Sequence, residues 1–89
     1  MNAIVTGASR GIGRGIALEL AKTHRVIATY LGSREQAESL RSETGCEIFR
    51  CDVSRAEDRA DLIAFARETF ENGLDLLVNN AGIAPRERR

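Results

Sequence analysis

The stretch Thr6-Gly7-Ala8-Ser9-Arg10-Gly11-Ile12-Gly13 limits the possible folds more than any other part of the chain. Before it lies a short apolar segment, Asn2–Thr6 (NAIVT). After it, from Gly11 to about Thr23, Ile12, Ile16 and Leu20 recur at four-residue spacing with Ala17 and Ala21 beside them. The first segment reads as a strand and the second as one face of a helix. Three glycines in a strand-to-helix turn answer three different demands. Gly7 permits a tight turn off the strand, Gly11 removes a Cβ where the backbone must approach a pyrophosphate, and Gly13 lets the helix lie close on its strand. The start of the helix offers unpaired N–H groups and the positive end of its dipole to phosphates. Strand, loop and helix in this order point to dinucleotide binding, the alternative being a turn kept for packing alone. No Gly-Lys-Ser/Thr follows, which excludes a P-loop.

The rest of the chain alternates two textures. Arg25–Tyr30 (RVIATY) is short and β-branched, a second strand. Ser33 with Gln36 has the spacing of a capping box and predicts a helix to about Thr44, closed by Gly45. Glu47–Val53 (EIFRCDV) reads as a third strand. Ser54 with Glu57 is a second capping box, opening a helix through about Phe70 that ends near Asn72–Gly73. Leu74–Asn79 (LDLLVN) is a fourth strand, after which Gly82 and Pro85 break the chain. Strands alternating with helices predict an α/β fold of four parallel strands and three helices, joined by right-handed crossovers. The near-continuous apolar run LDLLV suits a sheet covered on both faces. The first helix ends Lys22-Thr23-His24 without a closing glycine, and the only histidine, His24, reads there as a capping or exposed residue.

Composition excludes several classes of function. Hydrophobic residues at 43% and charged residues at 29% are those of a folded domain. Lys+Arg and Asp+Glu are 13 each, and the net charge of zero argues against an electrostatic nucleic-acid binder. No apolar run reaches the roughly 18–20 residues of a membrane span. Met1 is not followed by a basic region and a long apolar core, so no signal peptide is expected. Cys46 and Cys51 are too few for a disulfide scaffold and lack CxxC spacing. They read as reduced thiols packed as small hydrophobes, and cytosol is the expected compartment. No metal site is expected.

The spacing Gly7-x-x-x-Gly11-x-Gly13 resembles that of the short-chain dehydrogenase/reductase family rather than the GxGxxG proteins. Two further motifs carry the resemblance: Cys51-Asp52-Val53 at the end of strand three, and Asn79-Asn80-Ala81-Gly82 after strand four. Within the family, TGASRGIG, CDV and NNAGIA are most similar to 3-oxoacyl-[acyl-carrier-protein] reductases. The resemblance implies the N-terminal half of a Rossmann fold, strands in the order 3-2-1-4, with residues 1–89 forming a partial NAD(P)-binding domain. It implies that Gly7, Gly11 and Gly13 line the pyrophosphate. Ser9, Arg10 and Ile12 would then supply loop contacts near the ribose and nicotinamide ends. Asp52 would accept from the adenine amino group, with Val53 completing the Asp-Val pair. Read from its neighbours alone, Asp52 is equally a turn residue ahead of the Ser54 helix. Asn80, Ala81 and Gly82 would lie near the cofactor, and Asn79 would mainly knit the sheet.

An acid at the end of strand two would accept from a ribose 2′-OH and repel a 2′-phosphate. Here Thr29-Tyr30-Leu31 carries none, and the next acid is Glu35. Arg10, Ser33 and Arg34 can give a phosphate charge-assisted hydrogen bonds, so NADP is expected in preference to NAD. The family reaction is hydride transfer between nicotinamide and a carbonyl or alcohol, using a serine, a tyrosine and a lysine four residues after it. Tyr30 is the only tyrosine here and Arg34 stands four residues on, so no catalytic residue is assigned and the chain alone is expected to be inactive. The alternative function is a non-catalytic nucleotide-binding fragment or an inactive truncated product. Strand four, with no further strand beside it, is expected to promote self-association through its apolar edge.

Overall fold

In the computed structural model, which describes residues 1–9 and 11–80, strands and helices alternate along the chain. They are β1 (Asn2–Val5), α1 (Gly11–Leu20), β2 (Arg25–Tyr30), α2 (Arg34–Thr44), β3 (Glu47–Arg50), α3 (Ala56–Thr69) and β4 (Leu76–Val78). The strands form one parallel sheet in the order β3-β2-β1-β4, as expected. Ile4 of β1 pairs with Ile27 of β2 on one side and with Leu77 of β4 on the other. A second lock aligns β1 with the approach to β4: Asn2 N–H donates to Asp75 Oδ2 at 2.8 Å, and Asp75 N–H donates to Asn2 O at 2.9 Å.

Alternation along the strands creates two cores. Ala3, Val5, Val26 and Ala28 face α1 and α2, packing with Ala17 and Leu40. Ile4 and Ile27 face α3 and pack with Leu62, Ala66 and Phe70. Phe49 of β3 stacks on Phe65 of α3 with ring centroids 4.8 Å apart. Burial on both faces explains why β1 and β2 read as continuous apolar runs instead of alternating ones. Arg25 ties the end of α3 to the sheet, donating to Thr69 O at 3.1 Å while its guanidinium lies over the Phe70 ring.

Helix boundaries depart from expectation in an informative way. Neither capping box forms: Ser33 is the N-cap of α2 but makes no side-chain cap bond, and the N-cap of α3 is Arg55, not Ser54. Ser54 instead gives its hydroxyl to Asp52 Oδ1 at 2.6 Å, which draws it away from the α3 amides. Asp58, in the first turn of α3, reaches back to the Asp52 N–H at 2.8 Å. The predicted closure of α2 is present, with Gly45 at φ 75° donating to Arg41 O. Helix α1 stops at Leu20 without a glycine; its end is tied off by Thr23 and His24 amides that share Leu20 O. His24 Nδ1 lies 2.7 Å from Thr23 Oγ1, in the turn role expected for it. Strands one and three end earlier than the apolar runs that predicted them, at Val5 and Arg50, while strand four is trimmed at both ends, to Leu76–Val78.

Candidate dinucleotide site at the strand ends

The sequence β1–turn–α1 folds as it does because Gly7 and Gly11 both take positive φ, 63° and 66°, which L side chains adopt only with strain. The turn is held from two strands at once. Gly7 N–H donates to Thr29 Oγ1 at 3.2 Å, and Ala8 N–H donates to Thr29 O at 2.9 Å. From the other side, Asn80 Nδ2 donates to Gly7 O at 3.2 Å. The polar groups of Gly7 are thus committed to protein partners, and its contribution to a ligand is the shape of the turn. Thr6 N–H donates to Val78 O, and the Thr6 hydroxyl lies 3.2 Å from Asn79 Oδ1, so Asn79 joins β1 to β4 as expected of a structural residue.

Gly11 faces open space: a Cβ built there meets nothing within 4 Å. The start of α1 is therefore accessible, and its first turn carries no acid to offset the positive end of the helix. Ser9 is buried and Ile12 is largely exposed at the rim of this opening. Arg14, the first base of α1, turns away onto α2, where it donates to Gln36 O at 2.9 Å and pairs with Glu43. The predicted residues Arg10, Ala81 and Gly82 lie outside the described residues.

Beside the turn, the ends of β1, β2 and β3 enclose a cleft of about 190 Å³ lined by Gly7, Tyr30, Leu31, Cys51, Asp52, Val53 and Ser54. The two oxygens of Asp52 differ in their partners. Oδ1 accepts from the Ser54 hydroxyl and from Ser54 N–H at 3.0 Å, an Asx turn ahead of α3. Those two bonds hold the carboxyl below its usual range. Oδ2 has no partner among the described residues and remains able to accept from a donor. Cys51 forms an apolar wall: burial pushes its thiol up, with Asp58 and Asp52 adding to the effect. Tyr30 is buried, and its hydroxyl accepts from Arg34 Nη1 at 3.2 Å while Arg34 Nη2 pairs with Glu38 at 3.3 Å.

Sequence reasoning placed Tyr30 at the end of strand two beside this site but missed Thr29, whose hydroxyl and carbonyl hold the turn. The available signal was a threonine one residue before the end of an otherwise apolar buried strand. Among the described residues, no group of three or more His, Cys, Asp or Glu could hold a metal ion. No helix among them is long and apolar enough to cross a membrane.

Strand order reverses at β1, with β2 on one side and β4 on the other, and the glycine turn leaves the carboxyl end of that strand. In open parallel sheets, such a switch point is where ligands bind, and a glycine turn opening a helix there defines the α/β nucleotide-binding class. The chain belongs to the short chain dehydrogenase family, whose sequence pattern matches residues 1–89. It is 43% identical over 82 residues to an acetoacetyl-CoA reductase of Shinella zoogloeoides, covering 91% of this chain and 34% of that protein. It is 44% identical over 88 residues to the 3-oxoacyl-[acyl-carrier-protein] reductase FabG of Staphylococcus aureus, covering 92% of this chain and 35% of the relative. Among solved structures, menthone neomenthol reductase from Mentha piperita superposes with a TM-score of 0.77 at 34% identity, over 89% of this chain and 30% of the reductase. The chain spans about a third of the length of the curated relatives it matches.

Proposed function

We propose that these residues form the cofactor-binding part of an NAD(P)-dependent oxidoreductase. The observation that carries this reading is the accessible start of α1 beside two positive-φ glycines, next to a cleft floored by a carboxylate. The α1 amides receive the pyrophosphate, with Gly11 giving it room and Ser9, Arg10 and Ile12 flanking it. The cleft takes the adenine ring against Val53, and Asp52 Oδ2 accepts from the exocyclic amine. Asn80, Ala81 and Gly82 border the adenosine ribose. When bound, the nicotinamide supplies or accepts the hydride. These 89 residues hold no Tyr-x-x-x-Lys, so their part is to bind and orient rather than to donate the proton.

NADP is the proposed preference. Strand β2 ends without an acid, and the Arg34 guanidinium stands beside the Tyr30 hydroxyl, where a 2′-phosphate gains charge-assisted bonds. The names of the similar reductases suggest a 3-oxoacyl thioester as the substrate of the whole protein. Reduced cysteines fit the cytosol. Strand β4 pairs only with β1 among the described residues, and its exposed Leu76 and Leu77 are assigned to pairing with a second copy of the chain.

Calorimetry with NADP and with NAD tests the cofactor reading. Wild type is expected to bind NADP more tightly, and Gly11→Val to bind neither. Wild-type binding of neither dinucleotide would sink the proposal, and equal affinities would remove the preference.

A further inference from the structure

We propose that Thr29 is the positioning residue of the dinucleotide site, its buried hydroxyl presetting the turn at Gly7 before any ligand arrives. The inference rests on the cofactor reading above and assigns a role to a strand residue outside the glycine loop. Thr29 is 1% exposed and lies on the same sheet face as Ile27, the face covered by α3. Its hydroxyl accepts the Gly7 N–H and its carbonyl accepts the Ala8 N–H, so one residue of β2 satisfies two consecutive amides of the turn. Asn80 holds the intervening Gly7 carbonyl. Turning the peptide at Gly7 would break its N–H bond to the buried Thr29 hydroxyl and leave that hydroxyl, 1% exposed, without this donor. Glycine is the residue with the most backbone freedom to lose, so a turn fixed in advance spares the ligand that entropy on binding.

Valine matches threonine in shape and β-preference but cannot accept the amide proton. In Thr29→Val the Gly7 amide should exchange with solvent roughly tenfold faster or more, and the dissociation constant for NADP should rise by about tenfold. Thr29→Ser should return both values to within about threefold of wild type, because the acceptor is restored. In the unmodified full chain, the Gly7 and Ala8 amides should already be protected like amides of the sheet. This readout needs neither a variant nor a ligand.

Random-coil exchange of the Gly7 amide in wild type overturns the inference. So does a Thr29→Val protein that binds NADP as wild type does, while wild-type binding itself leaves the cofactor reading standing. A wild type that binds no dinucleotide overturns both.

Discussion

A Cβ on Gly13 would stand 2.1 Å from the carbonyl oxygen of Gly7 and 2.6 Å from Asn80 Nδ2. The start of α1 is thus in backbone contact with the turn that precedes it, and the Asn80 bond to Gly7 O passes through the same space. Gly13→Ala must displace backbone as well as a side chain, and overpacking of this kind costs about 1–3 kcal/mol. Chemical denaturation should show that loss together with weaker dinucleotide binding. A Gly13→Ala protein of unchanged stability would mean that α1 can rise off the turn without penalty.

Arg34 sits between the Tyr30 hydroxyl and Glu38 on an exposed surface, where an ion pair contributes little to stability. Arg34→Glu should therefore leave the unfolding midpoint almost unchanged. Its effect should fall on NADP, weakened by roughly tenfold or more relative to NAD as a charge near the 2′-phosphate is reversed. Parallel titrations of the variant with both cofactors check this, and an equal loss for both would place the phosphate elsewhere.

The thiols of Cys46 and Cys51 are both raised from their ordinary values, chiefly by burial. A raised thiol pKa favours the folded state while the unfolded thiols remain protonated. That contribution is full below the unfolded thiol pKa and is lost as pH rises towards the folded values. Stability should start to fall near pH 9, and Cys46→Ala/Cys51→Ala should flatten this alkaline limb even though the truncations lower stability at pH 7. Ellman's reagent at pH 7 should label both cysteines only as fast as the protein opens.

Asp52 carries the opposite sign. The Ser54 hydroxyl and amide depress its carboxyl pKa, so its contribution is present above the unfolded carboxylate value of about 4. It is lost as pH falls through the lower folded value. Ser54→Ala should raise the Asp52 pKa, readable by NMR titration of its carboxyl carbon. An unchanged titration would mean that the Asx turn does not persist in solution.

Leu77 is 55% exposed on the face of the sheet that α3 covers only in part. Leu77→Lys should reduce self-association of the chain in sedimentation experiments, since a charge on an edge strand opposes strand addition. A wild type that stays monomeric at high concentration would remove the assignment of β4 to that role.

The fold was legible where a backbone demand coincides with a residue type. Gly7 and Gly13 mark the turn, Gly45 marks the end of α2, and the apolar runs of β1 and β2 mark strands covered on both faces, whereas the run LDLLV, read the same way, leaves Leu76 and Leu77 of β4 exposed. The capping boxes misled because a serine two residues after an aspartate has a nearer partner than its own helix: Ser54 bonds Asp52, and α3 starts later. Thr29 was hidden for a different reason. A threonine in a strand is unremarkable by composition, and its importance depends on β2 lying beside β1 in a particular register, which local pattern does not encode. Asp52 was readable as an acid at a strand end, but the Asx turn that occupies its Oδ1 required the position of Ser54.

The pairing register also sets an order of events during synthesis. Ala3 pairs with Val26 and with Leu76, so the two edges of β1 find partners at very different distances along the chain. As the polypeptide leaves the ribosome, β1 can close on β2 as soon as the first helix is out. Its other edge must then wait, unpaired, for about fifty more residues, and long-range closures of this kind are slow and prone to capture by a wrong strand. The clamp between Asn2 and Asp75 at one end and the bonds of Thr6 to Val78 and Asn79 at the other then mark the correct partner. The brevity of β1, four residues with asparagine at its start, keeps the waiting edge small.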